Sequence, residues 1–482
     1  MRALFVLTLL GAFLNSLCVA QTANSNANTT ITFKNFELSK TPTTVCPGSS
    51  LCYNGAAEPA IRADAAGNFY ASSENGLTAG TLAWRSTDGG KHFTALVSPN
   101  SLSSATDSKF QPGGGDTDVA TSTGLNANGF YNVYVASLSG ANVDVSASQN
   151  QGGTWALNPL SATIPGDDRE WIAAEGSSKV CISYRTLVGT QLVVNCSFDG
   201  GSTFTQLGNV YDANHQFFAA YNAEIGNLAI DPTTHNVYQT FAAPANQQEA
   251  ATCTNCNLHV VWMGVSTDGG QTFTDYPVYI NPDTSVGYNH NFTNVSVDKA
   301  GNVYSVYSDN HNIFYSFSLD HGQTWSGPFQ VNQAPSATAI YPWSTAVGTG
   351  KIDIVWYGTS YYDGVNPPDN YPNSAVWYVY MAQNLNALAP GSTFTQVKAS
   401  PEVHFGGVCE GGVTCTGNRD LYDDFGVAAS PTTGMASIVY SDDQYTNTSA
   451  SPPQPGCTSS TTNSGSCDHT SIATQVSGSG IK

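Results

Sequence analysis

The segment Ser266-Thr-Asp268-Gly-Gly-Gln-Thr-Phe273 is one copy of a short pattern, Ser-x-Asp-x-Gly-x-Thr/His-aromatic, that recurs along the chain. Its carboxylate can accept hydrogen bonds from backbone N–H groups, its glycine can adopt a positive φ, and its aromatic ring can pack beneath the turn. The pattern therefore predicts a tight turn between two antiparallel strands. Further copies lie at 86–93, 197–204 and 318–325, with an Asn-containing copy at 148–155 and a decayed one at 389–394.

A second repeated unit precedes each turn pattern. An apolar strand ends near Asp-x-x-Gly-Asn and is followed by a strand rich in β-branched and aromatic residues, as at 61–70 and 295–304. Seven such units begin near residues 58, 116, 169, 224, 291, 341 and 423, and no stretch has sustained helical periodicity. These spacings predict an all-β, seven-bladed β-propeller with four-stranded antiparallel blades, with six blades as the alternative.

The repeated turn pattern resembles that of the Asp-box (bacterial neuraminidase repeat) proteins, and the chain is similar to secreted sialidase-like β-propellers from about residue 58 to 476. The resemblance implies a propeller domain over 58–482. It says less about activity, since the box also occurs in xyloglucanases, sortilin-type receptors and photosystem assembly factors. In the family the boxes lie on peripheral turns, which implies a structural role for Asp88, Asp199, Asp268 and Asp320.

The two ends of the chain carry signals of their own. Residues 1–20 combine Arg2, an apolar stretch and the small-residue site before Gln21, which predicts a signal peptide and a secreted or periplasmic protein. Within the N-terminal segment 21–57, residues 30–38 alternate in polarity and could supply an outer strand that closes the ring. Residues 446–468 are predicted to form a low-complexity loop in the last blade.

The cysteines favour an oxidising compartment. The chain has 11, and removal of the signal peptide would leave an even number in closely spaced pairs, which predicts disulfides. One pair, a Cys-x-x-Cys at 253–256, could instead be a redox or half-zinc motif. The pairs are Cys46/Cys52, Cys181/Cys196, Cys253/Cys256, Cys409/Cys415 and Cys457/Cys467.

Charge and composition exclude several function classes. The formal net charge is −20, and only 10% of residues are charged, against about 25% in ordinary soluble domains. Nucleic acids and anionic membranes need clustered Lys and Arg, so neither is expected as a partner. The N-terminal apolar run is too short for a membrane span and no second run follows. A monomeric globular protein is expected.

A propeller binds its ligands at one mouth of the central channel, where the first residues of the innermost strands converge. Aligning the seven units predicts a mouth rich in carboxylates. Its predicted members are Glu58, Asp116, Asp118, Arg169, Glu170, Glu224, Asn291, Asn294, Tyr341, Trp343, Arg419, Asp420, Asp423 and Asp424.

The resemblance to sialidases implies three arginines that hold the substrate carboxylate, a Tyr–Glu nucleophile pair and an Asp acid. Arg169 and Arg419 are the candidate arginines, with Arg185 as a third. Tyr341 with Glu224 could form the nucleophile pair. Asp116 or Asp118 could act as the acid. The Phe/Tyr-Arg-Ile-Pro motif that carries the family's first arginine is absent, which puts the arginine triad in doubt.

The acidity of the predicted mouth favours other chemistry. Many carboxylates disfavour an anionic sugar, whereas they suit calcium, with ligands that the sequence does not specify, or the two carboxylates of an ordinary glycosidase. Turn formation by Asp423-Asp424 and packing of aromatics between blades are the structural alternatives. The residues predicted to bind substrate are Glu58, Glu170, Trp343, Tyr361, Asp423 and Asp424.

The resulting hypothesis is a sialidase-like propeller that binds a carbohydrate or glycoconjugate and could hydrolyse it. The alternative is a non-catalytic scaffold for protein or cell-surface interaction. The sequence establishes no cofactor, and calcium at the mouth is the candidate.

Overall fold

The computed structural model describes residues 30–40, 54–101, 112–140, 142–221, 223–252, 257–288, 292–416, 419–444 and 467–482. The predicted signal peptide, three of the cysteine pairs in whole or in part, Asn291 and most of the loop 446–468 lie outside the described residues. Within them, 29 strands form seven antiparallel sheets. None of the helices there is long and apolar enough to cross a membrane.

Strand β1 (Thr32–Glu37) belongs to the last sheet, and the following strands fill blades 1 to 3 in chain order. Blade 1 comprises β2 (Ala57–Ala63), β3 (Phe69–Glu74), β4 (Leu82–Ser86) and β5 (Thr94–Ala95). Blade 2 comprises β6 (Thr117–Leu125), β7 (Tyr131–Leu138), β8 (Val143–Ser148) and β9 (Ala156–Asn158). Blade 3 comprises β10 (Asp167–Glu175), β11 (Lys179–Thr186), β12 (Leu192–Ser197) and β13 (Gln206–Asn209).

Blades 4 to 7 follow the same plan. Blade 4 comprises β14 (Glu224–Ile230), β15 (Val237–Ala243), β16 (Val260–Ser266) and β17 (Thr274–Ile280). Blade 5 comprises β18 (Asn294–Val297), β19 (Val303–Ser308), β20 (Ile313–Ser318) and β21 (Ser326–Gln330). Blade 6 comprises β22 (Thr338–Ala346), β23 (Ile352–Thr359), β24 (Val376–Asn384), β25 (Thr395–Lys398) and β26 (His404–Phe405). Blade 7 comprises β27 (Gly426–Ala429), β28 (Ala436–Asp442), β29 (His469–Ser477) and β1.

Among the residues that the structure describes, helical structure is confined to short pieces in the connections. They are α1 (Gln247–Thr252) and three 3₁₀ turns at Gln216–Tyr221, Pro368–Asn370 and Gly412–Thr414.

The first strand of each blade lies innermost, and these seven strands surround a central channel, with β27 beside β2. The ring is joined by the two ends of the chain, because β1 pairs antiparallel with β29 as the outer strand of blade 7. The prediction of seven four-stranded antiparallel blades is therefore confirmed, and the six-bladed alternative is wrong. In blade 6 a fifth short strand, β26, also pairs with β24.

The repeated sequence pattern forms the same turn in five blades, always between the third and fourth strands. In blade 4, Ser266 Oγ donates to Asp268 Oδ1 at 2.7 Å, Gly270 N donates to Ser266 Oγ at 2.8 Å, and Thr272 N donates to Asp268 Oδ1 at 3.0 Å. Each turn thus satisfies its own polar groups. The same three bonds recur around Asp88, Asn150, Asp199 and Asp320.

The hydrophobic core lies between neighbouring sheets, where each blade packs its faces against the next. Between blades 5 and 6, for example, Tyr304 and Tyr315 pack with Ile354 and Trp356 in one buried cluster. Because strand residues alternate between the two faces of a sheet, the buried strands present apolar side chains to both neighbours.

Two of the predicted disulfides are confirmed. Cys181 and Cys196 join the directly opposed positions of β11 and β12, and Cys409 and Cys415 close a short loop before β27. Cys467 is also disulfide-bonded, while its predicted partner lies outside the described residues. Disulfides of this kind are typical of oxidising compartments.

We expect Asp320→Ala to lower the free energy of unfolding by about 1–2 kcal/mol at pH 7, because it removes three hydrogen bonds from the turn. Hydrogen-bond donors lower the pKa of Asp320 to about 2 despite its partial burial. The stabilisation is therefore present above the unfolded-state pKa of about 4 and lost as pH falls toward 2. Denaturant unfolding at pH 7 and pH 3 measures both effects.

The matched control is Asn150→Ala, which removes the equivalent turn bonds from a residue that carries no charge. Its destabilisation should be the same at both pH values. An equally pH-independent loss in Asp320→Ala would contradict the contribution of the ionised carboxylate.

Candidate functional site

The inner strands begin at one face of the ring, and several of them carry a β-bulge at that end. The pairing register shifts at Glu58 in β2, at Arg169 in β10 and at Tyr341 in β22. All three residues have a positive φ, of 47°, 58° and 55°. Such backbone is costly for a side-chain-bearing residue, at about 1–3 kcal/mol each, and bulges commonly redirect side chains at functional sites.

A cavity of about 370 Å³ lies at this face, which we call the mouth cavity. Three arginines and six carboxylates line it, together with Phe292 and several small or apolar residues. The charged lining residues are Arg169, Arg185, Arg419, Glu74, Asp116, Asp168, Glu224, Glu410 and Asp423. The predicted acidic character of the mouth is thus present in the structure.

Arg169 is buried at the floor of the mouth cavity with its guanidinium 4.2 Å from the centre of the Phe292 ring. Four carboxylates surround it at similar distances. They are Glu58 at 3.4 Å, Asp116 at 3.5 Å, Asp423 at 3.5 Å and Asp424 at 3.6 Å. Burial alone would lower the pKa of Arg169, but these carboxylates outweigh it and raise the pKa further, so the cation is permanent.

The other two arginines are also paired with carboxylates. Arg419 Nη2 lies 2.8 Å from Asp423 Oδ2 and 3.1 Å from Glu58 Oε1. Arg185 Nη2 lies 2.8 Å from Asp168, and its Nη1 lies 3.5 Å from Glu224. A substrate carboxylate would therefore have to compete with the protein's own carboxylates for every guanidinium in the cavity.

Several carboxyl groups of the site take up protons near neutral pH. Burial, reinforced by the negative charge of Asp116, raises the pKa of Glu74 to about 7. Burial raises the pKa of Asp424 to about 7 although Arg169 opposes the shift, and it raises that of Glu58 well above its usual range. Protonated and ionised carboxyl groups thus coexist in one cavity, which is the condition for acid–base chemistry.

One group of oxygens in the cavity bears on the calcium prediction. Carboxylate oxygens of Glu58, Glu74 and Asp116 lie within 4.8 Å of one another. Calcium usually takes about six to eight oxygen ligands, and the guanidinium of Arg169 already neutralises two of these three groups. Calcium at the mouth remains a prediction from the sequence.

Two residues predicted at the mouth lie deeper, inside the channel. Asp118 accepts from Arg62 Nη2 at 3.1 Å and from the backbone N–H of Ile172 at 3.1 Å. Trp343 packs on Trp171 at 5.0 Å between ring centres, and it lines the cavity at the opposite end of the channel. These aromatic rings fill the channel below Arg169.

Glu170 is also buried, and both of its carboxylate oxygens lack a hydrogen-bond partner among the described residues. Burial raises the pKa of Glu170 well above its usual range, with Asp116 adding to the effect. Burial of Glu170 without a hydrogen-bond partner therefore favours its protonated form.

The structure does not bring Tyr341 and Glu224 into a contact. Tyr341 Oη donates to the carbonyl of Cys409 at 3.5 Å, on the disulfide loop, whereas Glu224 faces Arg185. Tyr361 lies in the loop after β23, where its hydroxyl donates to Asp363 and its ring meets Tyr371 edge-on.

Several residues of the mouth cavity, among them Glu74, Glu410 and Phe292, were missed by the sequence analysis. Glu74 is the last residue of β3, opposite Ala57, and Glu410 lies on the loop closed by Cys409 and Cys415. Only the first had a usable signal: in an antiparallel blade the second strand ends where the first begins, so its last residue also faces the mouth.

Fold and site together define a seven-bladed β-propeller with an arginine-containing acidic cavity at one end of its channel. No family model matches the chain. No curated protein matches it either.

Solved structures of similar fold include several glycoside hydrolase propellers. A GH93 α-L-arabinofuranosidase of Fusarium graminearum is 15% identical over 68% of this chain and 93% of that chain, with a TM-score of 0.45. An α-L-arabinanase of Penicillium chrysogenum is 9% identical over 92% and 98%, with a TM-score of 0.44. NanB sialidase of Streptococcus pneumoniae is 10% identical over 90% and 70%, with a TM-score of 0.41. At this level of sequence identity and TM-score, the similarity supports no argument about the activity of this chain.

We expect Arg169→Met to destabilise the protein by about 3–5 kcal/mol at pH 8, because it leaves buried carboxylates without their cation. The loss should be smaller at pH 5, where those carboxyl groups take up protons in the folded state. Denaturant unfolding at the two pH values measures the change in the free energy of unfolding.

The control is Arg85→Met, since Arg85 makes one hydrogen bond to the carbonyl of Gln151 on the opposite face of the ring. It should change stability little and equally at both pH values. An Arg169→Met loss that did not grow with pH would contradict the assigned role of the guanidinium.

Proposed function

We propose that the chain is a secreted carbohydrate-binding propeller that hydrolyses glycosidic bonds of uncharged glycans in the mouth cavity. The observation that carries the proposal is Glu74, a carboxyl group with a pKa near 7, beside the carboxylate of Asp116. The cavity volume of about 370 Å³ falls in the range of small-molecule sites.

Glycoside hydrolysis needs one protonated and one ionised carboxyl group on either side of the scissile bond. Glu74 supplies the proton to the leaving oxygen as the bond to the anomeric carbon breaks. Asp116, whose charge is supported by Arg169 Nε at 3.5 Å, attacks that carbon and forms a glycosyl ester. Water, deprotonated by Glu74, then releases the sugar and restores both groups.

The short distance between the two groups selects the stereochemical course. One oxygen of Glu74 and one of Asp116 lie no more than 4.8 Å apart, which is below the about 6.5–9.5 Å that an inverting enzyme needs for its water. The reaction should therefore retain the anomeric configuration.

Charge in the cavity determines which glycans it accepts. Three arginines face six carboxylates in the lining, and each arginine is already in an ion pair. A sialic acid would bring a further carboxylate into this environment, whereas a neutral sugar needs only hydrogen bonds and contact with Phe292. Uncharged substrates are therefore favoured over sialosides.

The disulfides Cys181–Cys196 and Cys409–Cys415 support an exported protein, in which the second bond would hold the loop that carries Glu410 against the cavity. Its partner would then be an extracellular or periplasmic carbohydrate or glycoconjugate.

We expect a panel of fluorogenic neutral glycosides to include a substrate, and Glu74→Gln to reduce kcat on it by about 10²–10⁴-fold because the amide cannot donate the proton. The matched control is Glu175→Gln, because Glu175 pairs with Lys179 on the opposite face of the ring. Binding of glycans without turnover of any glycoside would contradict hydrolysis and favour the non-catalytic scaffold. If the fluorophore were released only from sialosides, and if Arg169→Lys abolished that release, a sialidase would be favoured instead.

The rate should depend on pH through Glu74. Because Glu74 must be protonated to act as the acid, kcat/KM should fall as pH rises above about 7. A profile that rises or stays flat from pH 6 to pH 9 would remove Glu74 from this role. Product analysis by proton NMR at early times tests the predicted retention independently.

A further inference from the structure

A second cluster of polar groups lies in the interior, where three chain segments meet beside the last blade. His404 comes from β26, Asp420 from the segment before β27, and Asp443 directly follows β28. All three are buried, with exposed fractions of 0%, 1% and 0%. None of them belongs to the lining of the mouth cavity.

The imidazole of His404 is fixed so that one nitrogen faces the two carboxylates. Its Nε2 lies 2.9 Å from the carbonyl of Gly407, which can only accept, so Nε2 carries the hydrogen. Its Nδ1 lies 2.8 Å from Asp443 Oδ2 and 4.0 Å from Asp420 Oδ2. A ring held through its second nitrogen in this way is the usual arrangement of a metal-binding histidine.

An unpartnered oxygen in the cluster supplies an independent reason to expect a ligand. Asp420 Oδ2 is buried and makes no hydrogen bond within the described residues. Asp443 accepts from Gln444 Nε2 at 2.6 Å, and among the described residues neither carboxylate is in a salt bridge with a lysine or arginine. His404, as an imidazolium, could compensate at most one of the two buried carboxylates that it faces. Because an uncompensated buried carboxylate is costly, the cluster calls for a further cation.

We propose that His404 Nδ1, Asp420 and Asp443 bind a divalent transition-metal ion such as Zn²⁺ or Mn²⁺. The three ligand atoms lie within 4.8 Å of one another. For bonds of about 2.1 Å, adjacent octahedral ligands are about 3 Å apart and opposite ones about 4 Å, so the observed 2.8 Å and 4.0 Å need only small adjustments. The imidazole nitrogen favours these metals over calcium, which prefers oxygen ligands.

The position of the site gives the ion a structural role. Asp420 directly follows Arg419, which pairs with Glu58 and Asp423 in the mouth cavity. The loop closed by Cys409 and Cys415 lies between His404 and Asp420 in the chain. An ion held by the three ligands would therefore fix both ends of the segment that forms one wall of the cavity. The metal site does not depend on the proposed hydrolysis.

A second histidine between two carboxylates serves as the internal control. His215 lies 3.0 Å from Asp212 and 3.4 Å from Asp275, but it is only half-buried. Those two carboxylates also accept each other's backbone N–H groups, at 2.9 Å and 3.1 Å. Each carboxylate thus has a backbone donor, and only Asp275 Oδ1 has no hydrogen-bond partner among the described residues. Because this cluster is also less buried, we expect His215→Gln to keep the metal.

The test uses the full chain stripped with a chelator and then titrated with Zn²⁺ and, separately, Mn²⁺. We expect one equivalent to bind by calorimetry and to raise the melting temperature in the wild type and in His215→Gln. Asp420→Asn should bind about 100-fold or more weakly and lose the rise. Its metal-free form should melt higher than the metal-free wild type, because a buried charge has been removed.

Two results would overturn the site: no stoichiometric binding of either metal to the wild type, or unchanged affinity in Asp420→Asn. If that variant does not fold, Co²⁺ added to the stripped wild type decides the question. A visible absorption spectrum of bound Co²⁺ that disappears when Zn²⁺ is added supports the site, provided that the His215→Gln variant shows the same spectrum. The absence of any spectral change at stoichiometric Co²⁺ contradicts the site.

Discussion

The close approach of one glycine in each repeated turn to the preceding blade is the contact on which the ring depends. A Cβ atom on Gly90 would lie 2.4 Å from Ser437 Oγ in blade 7, and one on Gly322 would lie 3.0 Å from Val265 in blade 4. Both glycines also have a positive φ. These two positions leave no room for a side chain, whereas a Cβ on Gly201 would make an ordinary contact with Val145 of blade 2 at 3.7 Å. The repeated contact between a turn and the preceding blade sets the spacing from blade to blade. The carboxylate or amide of the turn keeps this backbone in place by satisfying its N–H groups.

A ring fixed from its periphery can hold strained backbone at its centre. Glu58 and Arg169 each have a positive φ at the mouth end of an inner strand, where an isolated strand would relax. Their bulges turn both side chains toward the channel, so that a guanidinium and a carboxylate from different blades meet at 3.4 Å. The stability of the outer turns and the geometry of the mouth are therefore linked, because the blades that the turns hold in register supply the groups that meet at the centre.

The sequence was sufficient for the fold because five blades repeat the same turn, and repetition makes a weak turn signal specific. It also predicted that the starts of the inner strands converge, which brings Arg169, Arg419 and Asp423 together. The sequence could not predict how deep in the channel each side chain lies. A bulge adds one residue and reverses the alternation beyond it, so Trp343 faces the channel interior and not the mouth. Glu410 escaped prediction because its loop has no strand periodicity.

The acidity of the chain divides into two populations that differ in their surroundings. Exposed turn carboxylates accept several hydrogen bonds, which lower the pKa of Asp268 and of Asp320 to about 2. Buried carboxyl groups at the mouth have the opposite shift, because desolvation raises the pKa of Glu74 and of Asp424 to about 7. The formal net charge of −20 counts every Asp and Glu as ionised, so it overstates the negative charge of these buried groups near neutral pH. Each arginine at the mouth is already paired with a carboxylate, so an anionic ligand would have to compete for every guanidinium, whereas an uncharged ligand would not.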